Sequence, residues 1–305
     1  MLNHDGSPSR RYEEIQRIGV ELQKLGEQIH GSTLHPEAAM LLSYDSRFAF
    51  QAQVNNPQLH NRNVLVDVVA PGLDLNRYKL VIAPAFHVVA DRDVEKLRQF
   101  VETGGVLLIT PRSGVKDEAN AVVNQALPGA LAMLCGVEVA DYDSLMPGMG
   151  NQVAWSLPGW ELPDTSTDTW SDILRPTTAR VIAHYCMDFY AGKPAVTLNQ
   201  VGKGQVVYAG VLGGEAFYDQ LLGWLIHLAG IRGVMASPPG VEATERWQGE
   251  NRLLFVLNHT DQEQALTGLA IESERAWTNL LDGAPVSPGK AAIGPKEVMV
   301  LYPNS

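Results

Sequence analysis

Residues 79–110 read KLVIAPAFHVVADRDVEKLRQFVETGGVLLIT and contain two short apolar runs separated by a longer amphipathic segment. The runs Leu80–Ala83 and Val106–Thr110 have the length and composition of buried strands. The segment between them repeats apolar residues at spacings of three and four, at Val94, Leu97, Phe100 and Val101. Asp91 is positioned to cap this predicted helix, and Gly104-Gly105 to end it. A strand, a helix and a strand at this spacing indicate a right-handed crossover in a parallel sheet.

The flanking sequence extends the same alternation in both directions. Further strands are predicted at Ala38–Leu42, Val64–Val69, Val181–Tyr185, Ala195–Leu198 and Gln205–Ala209, the last two joined by the turn Gly202-Lys203-Gly204. A helix with apolar residues from Phe217 to Leu228 follows them. We therefore predict a doubly wound, flavodoxin-like α/β domain with a parallel sheet over residues 35–236.

An amphipathic helix precedes this domain. Ser7-Pro8 suits a helix start, and Gly31 suits its end. Its apolar residues recur on one face, at Ile15, Ile18, Leu22, Leu25 and Ile29. We predict that residues 1–34 form a linker helix whose apolar face docks on the α/β domain, pairs with another copy or frays.

The predicted pattern of alternating strands and helices ends at Ser237-Pro238-Pro239-Gly240, which we interpret as a domain boundary. Beyond it lie short strand-like runs separated by turn signals, at Val241–Trp247, Leu253–Leu257, Ala265–Ala270, Trp277–Leu281 and Val298–Tyr302. This pattern predicts a small antiparallel β-sandwich over residues 240–303.

The composition of the 305 residues excludes several classes of partner. The net charge of −11 argues against a nucleic-acid or anionic-membrane surface, which needs clustered basic residues. No apolar run approaches the length of a membrane span. The first residues, MLNHDGSPSRRYEE, contain no apolar segment of the kind found in secretion signals, so a cytoplasmic location is expected.

The usual catalytic and cofactor signatures are missing. No phosphate-binding GxxxxGK[ST], GxSxG, HExxH or paired CxxC motif occurs, so we predict no cofactor, no metal and no catalytic residue. A doubly wound domain with a cysteine invites comparison with amidotransferases, which carry the nucleophile at a strand-to-helix elbow. Cys135 precedes Gly136 near a helix end, and Cys186 lies in a strand-like run without a following glycine. Both are interpreted as buried structural thiols.

One loop carries a concentration of polar side chains. Residues 110–118, TPRSGVKDE, follow a buried strand at the edge where α/β sheets usually bind ligands. Its candidate partner or ligand contacts are Arg112, Ser113, Lys116, Asp117 and Glu118. A solvated loop, with Arg112 and Lys116 paired locally to Asp117 and Glu118, is the structural alternative.

Several stretches resemble the family 42 glycoside hydrolases, which are β-galactosidases. The resemblance covers nearly the whole chain in the right order, and it rests on Asn3-His4-Asp5-Gly6, Arg10-Arg11-Tyr12, Tyr44-Asp45-Ser46, Val66–Val69, Tyr78–Ala85, Thr110–Glu118 and Leu253–Thr260. The loop Thr110–Glu118 is the most specific of these strings.

The resemblance implies a non-catalytic function. In that family the middle domain is amidotransferase-like in fold and forms trimers, while two glutamates of a separate barrel hydrolyse terminal β-galactosides. Neither glutamate has a counterpart here, so we expect an inactive accessory portion that forms a homotrimer and partners a catalytic barrel. Between Ser46 and Val64 only residues 47–63 replace the family's crossover helix, so an isologous dimer is the fallback.

A different class of function remains open from the sequence. The chain could instead be a stand-alone small-molecule or sugar-binding α/β protein that uses the Thr110–Glu118 edge of the sheet. An amidotransferase-like hydrolase is disfavoured by the missing cysteine elbow.

Overall fold

The computed structural model describes residues 5–43, 46, 59, 61–146, 148–157, 159–269, 276–287 and 291–304. The chain forms two compact units. The α/β unit comprises Pro36–Leu59 and Val66–Arg232, and the β unit comprises Met1–His35, His60–Leu65 and Gly233–Ser305. The shortened crossover expected at residues 47–63, and the strings at Asn3-His4 and Tyr44-Asp45, lie largely outside the described residues.

The described strands of the α/β unit form one eleven-stranded sheet. They are β1 (Ala38–Leu41), β2 (Val66–Val69), β3 (Leu80–Ala83), β4 (Val106–Ile109), β5 (Val137–Ser144), β6 (Asn151–Trp155), β7 (Thr165–Pro176), β8 (Arg180–Tyr185), β9 (Pro194–Val201), β10 (Gly204–Ala209) and β11 (Val211–Gly213). Parallel pairing joins five of them in the order β2-β1-β3-β4-β10. This is the flavodoxin-like order, so the predicted doubly wound fold is confirmed.

The two central strands, β3 and β4, lie within residues 79–110, and their burial explains the continuous apolar runs in that stretch. Every residue of β3 and β4 is buried, as expected for parallel strands that have helices on both faces. Helix α2 (Asp91–Glu102) buries its predicted apolar residues, Val94, Leu97, Phe100 and Val101. Its N-cap is Ala90 rather than Asp91, and Asp91 instead lies in the first turn, where the helix dipole favours a negative charge. At Gly105 a Cβ atom would collide with the Phe100 ring, so glycine is required there.

The sheet continues beyond β10 as an antiparallel extension, most of which the prediction of a doubly wound parallel sheet did not include. Strands β9, β8, β6, β7 and β11 follow β10 in that order, and β5 pairs with β7. The predicted turn at Gly202-Lys203-Gly204 does join β9 to β10. Strand β7 reads TSTDTWSDILRP, and its polar composition conceals it from a search for apolar runs.

The two cysteines occupy different environments. Cys135 is the last residue of the short helix α3 (Ala132–Cys135) and is fully buried, and Gly136 caps that helix in the left-handed conformation. Cys186 is exposed, so the prediction of a buried thiol was wrong for this residue. It lies immediately after β8, where the chain enters a turn. Helix α4 (Glu215–Leu228) is the last element of the unit, and it contains the helical run predicted from Phe217 to Leu228.

The β unit contains a five-stranded antiparallel sheet and a separate two-stranded one. Its described strands are β12 (Val241–Gln248), β13 (Asn251–Asn258), β14 (Gln264–Ala265), β15 (Trp277–Asn279), β16 (Pro285–Val286), β17 (Ala292–Ile293) and β18 (Val298–Pro303). The strand predicted at 265–270 is much shorter than expected. Leu266 and Leu269 are instead buried in a turn that packs into the core of this unit.

Helix α1 (Arg10–Ile29) belongs to the β unit, an arrangement that none of the three expected outcomes included. Leu25 and the partly buried Ile29 pack against Leu253 of β13 and Val300 of β18. The Gln248 side-chain amide donates hydrogen bonds to the last carbonyls of the helix region. The N-terminal part of the predicted stripe is not covered, and Ile15, Ile18 and Leu22 are each at least half exposed. No helix in the described residues is long and apolar enough to cross a membrane.

Shortening an apolar side chain should therefore have different effects at the two ends of helix α1. Leu25 is 5% exposed, so Leu25→Ala should lower the free energy of unfolding by about 2–4 kcal/mol. Ile18 is 53% exposed, so Ile18→Ala should change it by less than about 0.5 kcal/mol. Urea denaturation of both variants measures the difference, and equal losses would contradict the described packing.

Candidate functional site

The polar loop of residues 110–118 lies at the carboxyl ends of the parallel strands. It follows β4, and it contacts the loop that follows β3 through a bridge between Val88 and Lys116. Ser46, which comes after β1, accepts a hydrogen bond from the backbone of Val88. The loops that follow the neighbouring strands β1, β3 and β4 therefore meet near the point where the strand order reverses, the usual ligand crevice of such sheets.

Ser113 holds two of these loops together. Its hydroxyl donates to the carbonyl of Thr110 at 2.8 Å and accepts from the amide of Phe86 at 3.0 Å. His87 contacts the Arg112 carbonyl through Nδ1 at 3.0 Å, and burial lowers the pKa of this imidazole. Ser113 is 1% exposed, so it fixes the loop and is not available to a partner.

The three charged residues at the end of the loop also bind the chain itself. The Lys116 ammonium donates to the side chain of Asn120 at 2.9 Å. Asp117 accepts hydrogen bonds from two backbone amides that follow it, and so closes a turn. Glu118 pairs with Arg92 of α2 at 2.9 Å. Both side chains of this pair are exposed, so it contributes at most about 1 kcal/mol.

Arg112 differs from the other four candidates. Its backbone has a φ of +66°, in the left-handed region that non-glycine residues rarely adopt. The guanidinium lies over the Trp170 ring of β7, 4.7 Å from its centroid. Trp170 stacks in turn on Tyr142 of β5, with the ring centroids 4.7 Å apart and the planes 9° from parallel. We refer to Arg112, Trp170 and Tyr142 as the aromatic row.

A buried carboxyl group lies beside this row. Asp172 is 4% exposed and accepts hydrogen bonds from the Trp170 indole and the Tyr208 hydroxyl, each at 2.8 Å. Burial raises the pKa of Asp172 to about 6, opposed by these hydrogen bonds and by the charge and backbone amide of Arg112. Partial burial also lowers the pKa of Arg112, and the charge of Asp172 counters that effect.

The geometry therefore divides the predicted site. Ser113, Lys116, Asp117 and Glu118 bond to neighbouring parts of the α/β unit, while Arg112 joins a row that the sequence prediction missed. Trp170, Tyr142 and Asp172 were missed because β5 and β7 lack apolar runs. The one available signal was the spacing of Trp170 and Asp172, which places both on the same face of a strand. Among the described residues no group of three or more potential metal ligands comes together.

Two family profiles match this chain. The β-galactosidase trimerisation domain matches residues 37–232, and the β-galactosidase C-terminal domain matches residues 240–302. The chain belongs to the glycoside hydrolase family 42 β-galactosidases. The first family 42 match coincides closely with the α/β unit, and the second falls within the β unit.

Two β-galactosidases are similar to this chain along almost its whole length. β-Galactosidase BgaB of Geobacillus is 30% identical over 96% of this chain and 44% of its own length. β-Galactosidase BgaA of Clostridium cellulovorans is 31% identical over 93% of this chain and 44% of its own length. The chain thus spans less than half the length of these relatives.

Solved structures of β-galactosidases are also similar to almost the whole chain. The β-galactosidase from Bacillus circulans sp. alkalophilus superposes with a TM-score of 0.91 at 28% identity, over 99% of this chain and 46% of that one. The β-galactosidase from Halorubrum lacusprofundi superposes with a TM-score of 0.79 at 29% identity, over 99% of this chain and 44% of that one. The predicted fold class is therefore shared with experimentally determined β-galactosidases.

The raised pKa of Asp172 predicts a specific pH dependence of stability. The native state takes up this proton as the pH falls through about 6, before the unfolded chain does, so the cost of burying the charge disappears between pH 7 and pH 4. Over that range the wild type should gain about 2 kcal/mol relative to Asp172→Asn. Urea denaturation at several pH values measures the difference. Glu118→Gln is the control, since it removes an exposed carboxyl group and shows how much the loss of one such charge alone changes the profile. Parallel profiles for the wild type and Asp172→Asn would contradict the prediction.

Proposed function

We propose that this chain is a non-catalytic assembly portion of a family 42 β-galactosidase, in which the α/β unit holds copies together. The observation that carries the proposal is the match of the trimerisation domain to residues 37–232, nearly the whole of that unit. The polar loop supports the same interpretation, since four of its five candidate residues bind their own chain and leave little for a small ligand.

The assembly that we propose is a closed homotrimer. Cyclic symmetry satisfies every contact surface and stops growth at a defined size, whereas an open head-to-tail arrangement would give filaments. The name of the matched domain favours three copies. An isologous dimer is the fallback if the segment at 47–63 alters the contact.

Hydrolysis in the proposed whole enzyme requires sequence outside the matched portion. A glycosidase needs two carboxyl groups facing each other across a cleft, about 5–10 Å apart. Of the carboxyl groups in the described residues, Asp172 has a raised pKa, but indole and phenol groups enclose it and leave no room for a sugar. We therefore propose that a catalytic barrel, in the same protein or a partner, supplies both acids.

A cytoplasmic location is part of the proposal. The cysteines of the described chain are free thiols, and the exposed Cys186 is compatible with a reducing compartment. The acidic composition suits a protein that does not bind anionic membranes.

Self-association is the first direct test. The purified chain should have a weight-average mass of three copies in multi-angle light scattering, and the mass should persist on dilution through the micromolar range. A constant monomer mass up to high protein concentration would reject the assembly function.

The second test addresses catalysis. The isolated chain should release no nitrophenol from an aryl β-galactoside above a no-protein control, because the proposal assigns both catalytic acids to a barrel outside the matched portion. A family 42 enzyme of full length is the positive control. Release by the rigorously purified chain would show that the proposal of a non-catalytic portion is wrong.

A further inference from the structure

The antiparallel extension of the sheet ends in two adjoining turns that expose large apolar side chains. The first turn connects β5 to β6, and the second follows β8. The exposed side chains, here called the distal patch, are Met146, Met149, Met187 and Phe189. The Asn151 side chain joins the turns, since it donates to the Met187 carbonyl and accepts from the Met187 amide at 2.8 and 2.9 Å.

The distal patch is held in place by buried groups beneath it. Asn151 and Tyr190 are each 1% exposed. The Tyr190 hydroxyl donates to Asp143 of β5 at 3.1 Å, and its ring meets the Phe189 ring edge-on at 4.9 Å. Phe189 is nevertheless 71% exposed. A fixed and exposed cluster of Met and Phe is typical of a protein contact surface.

The distal patch and the aromatic row lie on opposite faces of the extension. Tyr142 and Asp143 are consecutive residues of β5, so their side chains project to opposite faces of the sheet. Tyr142 stacks within the aromatic row, whereas Asp143 bonds Tyr190, the neighbour of Phe189. One unit therefore presents two chemically different surfaces, one on each side of the same strands.

Two different surfaces are what a closed trimer requires. In a ring each copy uses one surface toward the next copy and another toward the previous one, whereas an isologous dimer uses a single surface twice. Tyr, Trp and Arg are the residue types that carry most of the energy in protein interfaces. Thioethers pack favourably against aromatic rings, so the distal patch and the aromatic row are complementary.

We propose that the distal patch of one copy docks on the aromatic row of the next copy, head to tail. The proposal rests on the proposed self-association of the α/β unit, and it assigns the two surfaces that make the contact.

Complementation between two variants tests this arrangement. Phe189→Asp disrupts the distal patch and Tyr142→Asp disrupts the aromatic row, each by placing a charge at an exposed position in the middle of the proposed contact. Each variant alone should have the mass of a monomer in light scattering. An equimolar mixture should form a dimer and no trimer, because an intact row and an intact patch remain, one on each partner.

Matched controls separate this result from a general loss of structure. Val68→Asp places the same charge at a position 60% exposed on β2, at the opposite end of the sheet order, and should leave the trimer intact. Thermal unfolding of all variants checks the fold, and Tyr142→Ala replaces Tyr142→Asp if the latter is unstable.

The outcomes distinguish the inference from the proposed function. A monomeric wild type would reject self-association itself. A wild-type trimer that survives both Asp substitutions would overturn the assignment of the surfaces alone. Variants that dissociate but stay monomeric when mixed would overturn the head-to-tail arrangement.

Discussion

The α/β unit depends on burying both faces of its central parallel strands. Strands β3 and β4 contain no exposed residue, so their apolar side chains need cover above and below the sheet. Helix α2 supplies part of that cover with an apolar face of matching length. Because β3 and β4 pair in parallel, the chain between them has to cross over, and helix α2 is that crossover.

Asp172 connects this parallel core to the antiparallel extension. Its carboxyl group accepts from Tyr208 of β10 and from Trp170 of β7, and it lies beside the Arg112 backbone near the start of the loop that follows β4. Burying a carboxylate is costly, so the fold retains it only because several donors converge on it. The left-handed conformation of Arg112 becomes understandable in this setting, since it aims the guanidinium at the Trp170 ring.

The parts of the fold that could be predicted are those in which one physical effect dominates. Continuous apolar runs identified β3 and β4, and helical periodicity identified α2 and the buried end of α1. Strand β7 could not be predicted, because its stability comes from pairing with strands on either side and its own composition is polar. The sequence also identified Arg112 as a candidate but not its partner Trp170. A polar loop can be recognised from its own residues, whereas a contact between a loop and a distant strand depends on the fold.

Helix α1 and the strands that cover it are far apart in the sequence. Leu25 packs against Leu253 and Val300, with the whole α/β unit encoded between them. At ribosomal rates of about 5–20 residues per second, the helix leaves the ribosome on the order of tens of seconds before its cover exists. During synthesis the nascent chain therefore carries a helix whose apolar face is uncovered, which is a natural binding site for chaperones until the last strands are made.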